Sequence, residues 1–162
     1  MPARYASLAV LLLLVVAAAY LAGSFEAGEW YYQKLSKPSW TPPGAVLGGG
    51  WALAWLTLAL AAWQLWQSGH YARLGALAWW LLLLALTVGW SILFFGLNRI
   101  GWAWLELGLA LTVALLCIRA FHPLSRQAAW LLLPGLSWLG FIWVLNLVMW
   151  SINGGPLGRF LM

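Results

Sequence analysis

Three tryptophans, Trp51, Trp90 and Trp138, lie inside long apolar runs or about two turns from their ends, beside small or polar residues. An indole so placed offers a broad polarisable face, and stacking and dispersion grow with contact area. A pocket walled by several such faces would suit a large, flat, apolar ligand. Helical spacing extends the pattern. Trp51, Trp55, Leu58 and Ala62 share a stripe, with Trp66 close to it. Trp79, Trp90 and Phe94 share another, with Thr87 at its edge. Trp102, Glu106, Leu109 and Val113 line up, as do Trp138, Ile142, Leu145 and Met149, with Asn146 and Asn153 at the margin. Four runs thus each offer a tryptophan that could face inward. The same spacing also serves plain packing, and Trp30, Trp63, Trp66, Trp102 and Trp150, near run ends, suit anchoring at a membrane surface.

Other reactive side chains are few. Glu106 is the one acid inside an apolar run. A carboxyl there is costly and marks either a functional position or a place from which it reaches water near the helix start, one turn past Trp102. Asn146 suits a hydrogen bond between helices. No nucleophile stands beside a plausible base, no glycine-rich phosphate loop follows a strand, and one carboxyl makes no acid–base pair. His70 and His122 fall in separate loops without neighbouring acids or thiols, which argues against a metal site. Cys117, the single cysteine, cannot form an intrachain disulfide. The net charge of +5 is scattered over the loops, so nucleic-acid binding finds little support.

The elements that must carry these residues follow from composition. The 162-residue chain is 65% hydrophobic and 7% charged, where a soluble domain has roughly 25% charged residues. The solvent must therefore be lipid. Five runs, approximately 5–25, 45–66, 74–97, 102–120 and 128–152, are long enough to span a bilayer. The expectation is an all-α integral membrane bundle of five transmembrane helices, forming a single domain over residues 1–162. The first run, with Arg4 ahead of it and Ala17-Ala18-Ala19 near its end, also has the look of a secretory signal, but its length favours a retained helix. Short connections predict that consecutive helices are antiparallel neighbours. Five spans put the termini on opposite sides. Four cations fall on each side (Arg4, Arg73, Arg119 and Arg126 against Lys34, Lys37, Arg99 and Arg159), so charge leaves the orientation undetermined.

One long polar interruption breaks the apolar sequence, at 26–43. Pro38, Pro42 and Pro43 cannot sit within a helix, so Trp30 to Pro43 is a stiff loop. It holds both lysines, with Glu26 and Glu29 nearby, and aromatics that a plain connector does not need. Two readings stand: a lid over a pocket, or an interfacial loop with its rings at headgroup level. Gly48-Gly49-Gly50, just beyond, suits close backbone approach or a loosened first turn.

The segment Trp30-Tyr31, Leu35, Lys37-Pro38-Ser39-Trp40, Pro42-Pro43 and then Trp51 resembles the translocator protein / tryptophan-rich sensory protein (TspO) family, in its bacterial-type members. Trp90-Ser91-Ile92-Leu93-Phe94-Phe95-Gly96 resembles the family's third-helix segment, and Glu106 stands where the fourth helix is often acidic. Pro134, Trp138, Phe141, Leu145-Asn146, Trp150 and Asn153 fit its fifth-helix pattern. The similarity covers nearly the whole chain and argues against signal cleavage. It implies a five-helix bundle, a homodimer, in a bacterial cell membrane, with a pocket closed by the first loop.

The resemblance also implies the ligand: a porphyrin, haem or related tetrapyrrole, bound for sensing or transport, with no cofactor required. Carried over residue by residue, the ligand-binding set is Trp40, Trp51, Thr87, Trp90, Trp102, Trp138, Phe141, Ile142 and Asn146. Light-dependent porphyrin degradation is the enzymatic alternative, with Trp51 and Trp138 as the contacting indoles. A third alternative is a self-associating assembly protein, with Ala85 and Gly89 as a small-residue pair at the dimer interface. Thr87 replaces a family Asn, and Ile142 a commonly small residue, which narrows the pocket. The family's sterol segment expects Tyr and then Lys or Arg. Leu147, Val148 and Ser151 supply neither, so cholesterol binding is expected to be weak or absent. Leu65, Tyr71 and Arg73 fit a loose sterol pattern elsewhere.

Overall fold

The computed structural model of the chain describes residues 2–25 and 27–155; Glu26, Pro156 and Arg159 lie outside the described residues. Among the described residues, five segments are helical, long and apolar enough to cross a membrane: Tyr5–Gly23, Gly44–Gln67, Arg73–Gly96, Ile100–Phe121 and Arg126–Ile152. The helices are α1 (Pro2–Gly23), α2 (Gly44–Gln67), α3 (Arg73–Ser91), α4 (Ile100–Phe121), α5 (Arg126–Leu131) and α6 (Leu133–Ile152). The chain is an all-α membrane bundle. The last span is two helices, because Pro134 has no N–H to give and sits in the first turn of a new helix rather than inside an old one. Ser125 caps α5 by accepting from the Ala128 amide at 3.2 Å.

The helices form a ring in the order α1, α2, α5–α6, α4, α3 and back to α1. Consecutive helices are therefore not uniformly neighbours. α2 and α3 touch only marginally, and α2 packs instead on α5 and α6. Among the described residues α2 and α3 are joined by the Trp80 indole N–H to the Leu58 carbonyl, at 3.0 Å, and by the Arg73 guanidinium to the Trp66 carbonyl, at 3.3 Å.

Small residues set which faces meet. Ala59, Ala61 and Ala62 on α2, Ala103 and Ala110 on α4, and Ala128 on α5 are all fully buried. In lipid no hydrophobic drive separates a leucine face from its surroundings, so close backbone approach at small side chains decides packing. This corrects two of the expected stripes in part: Trp90, Phe94, Thr87 and Val113 are buried as expected, but other members are not. Trp79 is 39% exposed on the lipid side of α3, and its neighbour Trp80, at 1%, is the buried indole. On α4, Trp102 and Leu109 face outward at 65% and 52%, while Ala103, Leu107, Ala110 and Cys117 face in. The stripes on α2 and α6 stand, with Leu58, Ala62, Ile142, Leu145 and Met149 buried.

Two short stretches wind as π-helix, Trp30–Lys34 before α2 and Ile92–Gly96 at the end of α3. The Leu35 amide donates to the Trp30 carbonyl at 2.9 Å, and the Leu97 amide to the Ile92 carbonyl at 2.8 Å. The expected loop from Trp30 thus opens with one wide helical turn before its prolines take over. A π turn advances each residue by a smaller angle than an α turn, so adjacent side chains point more nearly the same way. Phe94 and Phe95 consequently both face the same cavity.

Candidate ligand pocket

The 27–43 segment is docked on the bundle at three places. Leu35 is buried in the core. Trp30 and Tyr31 meet Phe94 edge-on at 5.7 and 6.3 Å, and Tyr31 meets Phe95 at 5.6 Å. Asn153, at the end of α6, clamps the far side. Its carbonyl oxygen accepts from the Ser36 amide at 3.0 Å, and its amide nitrogen donates to the Ser36 carbonyl at 2.8 Å. That two-way pairing copies the backbone exchange of a strand pair. Beyond it, the Thr41 hydroxyl and amide both donate to the Pro38 carbonyl, closing a turn through the prolines.

Beneath this segment lies a cavity of about 490 Å³, bounded by the 27–43 segment and helices α2, α3 and α6. The volume falls within the roughly 300–1,000 Å³ usual for small-molecule sites. Its deep wall is aromatic. Trp51 stacks on Trp90 at 5.3 Å and 28°, and Trp90 stacks on Phe94 at 5.2 Å and 25°. Ile142, Leu145 and Met149 of α6 form the facing wall. Asn146 fixes the indole of Trp90: its carbonyl oxygen accepts the indole N–H at 3.1 Å, and its amide donates to the Ile100 carbonyl at 2.9 Å. One amide thus joins α3, α4 and α6 at the base of the pocket. At the rim stand Tyr31, Tyr32, Lys37 and Thr41. Burial, with the Tyr32 phenol adding to it, holds the Tyr31 phenol above the ordinary tyrosine range, so it remains a neutral hydrogen-bonding group.

Trp40, Trp138 and Phe141 form a separate cluster, with Phe141 5.3 Å from Trp138 and 6.2 Å from Trp40. Trp138 lies flat against α2 at Gly50, where a Cβ would run into its ring. It does not line the cavity, so of the paired indoles Trp51 and Trp138 only Trp51 does.

The sequence matches the TspO/MBR family over residues 9–151. It is similar to the translocator protein of Bos taurus, 33% identical over 83% of this chain and 82% of that protein. It is likewise similar to the Homo sapiens translocator protein, 33% identical over 84% of this chain and 83% of the relative. The tryptophan-rich protein TspO of Archaeoglobus fulgidus is 31% identical over 87% of this chain and 94% of its own length. The chain belongs to the TspO/MBR family.

Within that family frame, the expected site residues fall into three places. Trp51, Trp90, Ile142 and Asn146 line the cavity. Trp40, Trp138 and Phe141 form the cluster beside it. Thr87 and Trp102 lie apart. Thr87 borders a narrow void of about 20 Å³ below the cavity, and its hydroxyl is turned back to the Leu84 carbonyl at 2.7 Å. Trp102 lines an outer groove with Arg99 and Trp150.

The expected ligand-binding set left out Phe95, Met149 and the rim group Lys37, although Met149 stands on the inward stripe of the fifth run. For Phe95 the missing signal is the π turn, which no spacing rule for an α-helix reveals. Asn153 stood only at the margin of a stripe, although its amide holds the segment down.

The small pair on α3 also divides. Ala85 is exposed, whereas the open side of Gly89 faces the Glu106 carboxyl, whose oxygen lies 3.4 Å from where a Cβ would stand. Both Glu106 oxygens are buried without a hydrogen-bond partner among the described residues. They sit at the α3–α4 seam and outside the cavity lining. The loose sterol pattern ends in a loop where Tyr71 is 90% exposed and the Arg73 guanidinium covers Trp66 at 4.3 Å.

Proposed function

We propose that this membrane protein binds porphyrins and related tetrapyrroles beneath the 27–43 segment, acting as a receptor in their sensing or transport. The observation that carries the reading is the continuous aromatic wall, Trp51 on Trp90 on Phe94, facing an aliphatic wall across a cavity of about 490 Å³. A slot with a stack of aromatic rings on one side and conformable aliphatic groups on the other favours a broad apolar guest, whose dispersion contacts scale with its area. Trp51 and Trp90 supply contact area, Asn146 keeps Trp90 in its plane, and the docked segment keeps water from the deep end.

The test is titration of the purified chain with protoporphyrin IX, read by tryptophan fluorescence. Saturable quenching near one ligand per chain, weakened in Trp90→Leu, supports the reading. Linear partitioning indistinguishable from empty micelles defeats it.

A further inference from the structure

We infer that Lys37 recognises an acidic group on the ligand, so that the cavity selects flat apolar molecules carrying a carboxylate. This rests on reading the cavity as a binding site and names the headgroup it takes. The lining residues divide by chemistry along the cavity. At the deep end the one polar side chain is Asn146, and its amide is already engaged with Trp90 and Ile100. At the rim the Thr41 hydroxyl is turned to the Pro38 carbonyl. Lys37 is the one charged side chain among the described lining residues.

The surroundings of Lys37 hold the ammonium in place without satisfying it. Its Nζ donates to the Tyr31 carbonyl and stands 4.4 Å over the Tyr31 ring and 5.9 Å from that of Tyr32. The carbonyl uses one of three N–H groups, and the rings attract the charge through their faces without accepting a directed bond as an anion does. Among the described residues no carboxylate pairs with it. When a wholly apolar guest closes the rim, the remaining donors lose water and gain no acceptor, which costs binding. A guest carboxylate at the same point supplies the acceptor and an opposite charge, giving a charge-assisted hydrogen bond in a half-buried setting. Lys34 offers the contrast within the same segment: it is exposed and does not line the cavity. A lysine serving only as a brace for the Tyr31 carbonyl would matter equally to acidic and neutral guests, and that difference separates the two roles.

The experiment compares two pairs of probes on the full chain in neutral detergent. One pair is protoporphyrin IX and its dimethyl ester; the other is pyrenebutyrate and pyrenebutanol. The variants are Lys37→Met, Lys37→Arg and, as a control, Lys34→Met. The wild type should favour each acid over its neutral partner by about tenfold or more, the size of a hydrogen bond to a charged group. Lys37→Met should abolish the preference by weakening each acid, while the neutral probes bind as in the wild type or more tightly, since the desolvation cost of the ammonium is gone. Lys37→Arg should keep most of the preference, and Lys34→Met all of it. A preference that survives in Lys37→Met, an equal loss for acid and neutral probes, or no preference in the wild type overturns the inference. If the porphyrin pair fails to saturate but the pyrene pair shows the lysine-dependent preference, the tetrapyrrole reading falls and the carboxylate site stands.

Discussion

Gly48, Gly49 and Gly50 occupy one turn of α2 and differ in what an added side chain would meet. At Gly48 nothing lies within 4 Å of the Cβ position, and the residue borders the cavity. At Gly49 nothing lies within 4 Å either, and the residue does not line the cavity. At Gly50 the Cβ would strike the Trp138 ring. Replacing glycine in a helix interior recovers up to about 1 kcal/mol at each of the three positions. Gly48→Leu should therefore fold at least as well as the wild type while its side chain occupies the space a guest needs. Overpacking typically costs about 1–3 kcal/mol, which corresponds to a roughly 5- to 150-fold rise in Kd for protoporphyrin IX. Gly49→Leu has the same propensity gain and should leave Kd unchanged. Gly50→Ala sets a gain of about 1 kcal/mol against an overpacking cost of about 1–3 kcal/mol, for a net loss of up to about 2 kcal/mol. The assay is a fluorescence titration on each variant, paired with a thermal midpoint in the same detergent. If Gly48→Leu binds as tightly as Gly49→Leu, the ligand does not sit against this turn of α2 and the placement of the site is wrong.

Other outcomes follow from single contacts. Asn146→Leu should lower thermal stability by about 1–3 kcal/mol, because the buried Trp90 N–H loses its acceptor, and a melting midpoint equal to wild type would contradict that. Asn153→Ala removes both bonds to Ser36; amide hydrogen exchange across residues 35–41 should quicken several-fold with little change in the midpoint, whereas unchanged exchange would show that the clamp is idle. Glu106→Gln keeps the shape of a side chain outside the cavity, so porphyrin affinity should stay within about twofold of wild type; a larger loss would bring Glu106 into the binding mechanism. Self-association along the lipid face of α3 predicts that Ala85→Trp shifts a dimer to monomer in native mass spectrometry, and a monomeric wild type would rule it out.

The spans were legible because about 20 apolar residues in a row have one physical home, and the loop between the first two because three prolines forbid a helix there. The inward faces were harder. In water a buried face announces itself by hydrophobic periodicity, but lipid is as apolar as a core, so Trp79 and Trp80 look alike in sequence and only one is buried. On α4 the small Ala103 and Ala110 lie inside, with Trp102, Leu105 and Leu109 outside, but Leu107 and Phe121 are buried too, so size alone does not mark the face. The stripes on α2 and α6 succeeded because Trp51 and Asn146 combine burial with polarity or shape that lipid does not reward. The π turns at Trp30–Lys34 and Ile92–Gly96 leave no mark in the pattern, and with them went the paired facing of Phe94 and Phe95. The Trp138–Gly50 contact depends on how α6 crosses α2, a relation that separate helix patterns do not contain.

The most direct measurement is a structure of the protein with protoporphyrin IX bound in a lipid environment. The macrocycle should lie flat against Trp51 and Trp90, opposite Ile142 and Leu145, with a carboxylate within hydrogen-bonding reach of the Lys37 ammonium and the 27–43 segment closed over it. A macrocycle seated on the outer surface of the bundle, with the cavity beneath that segment empty, would contradict the account.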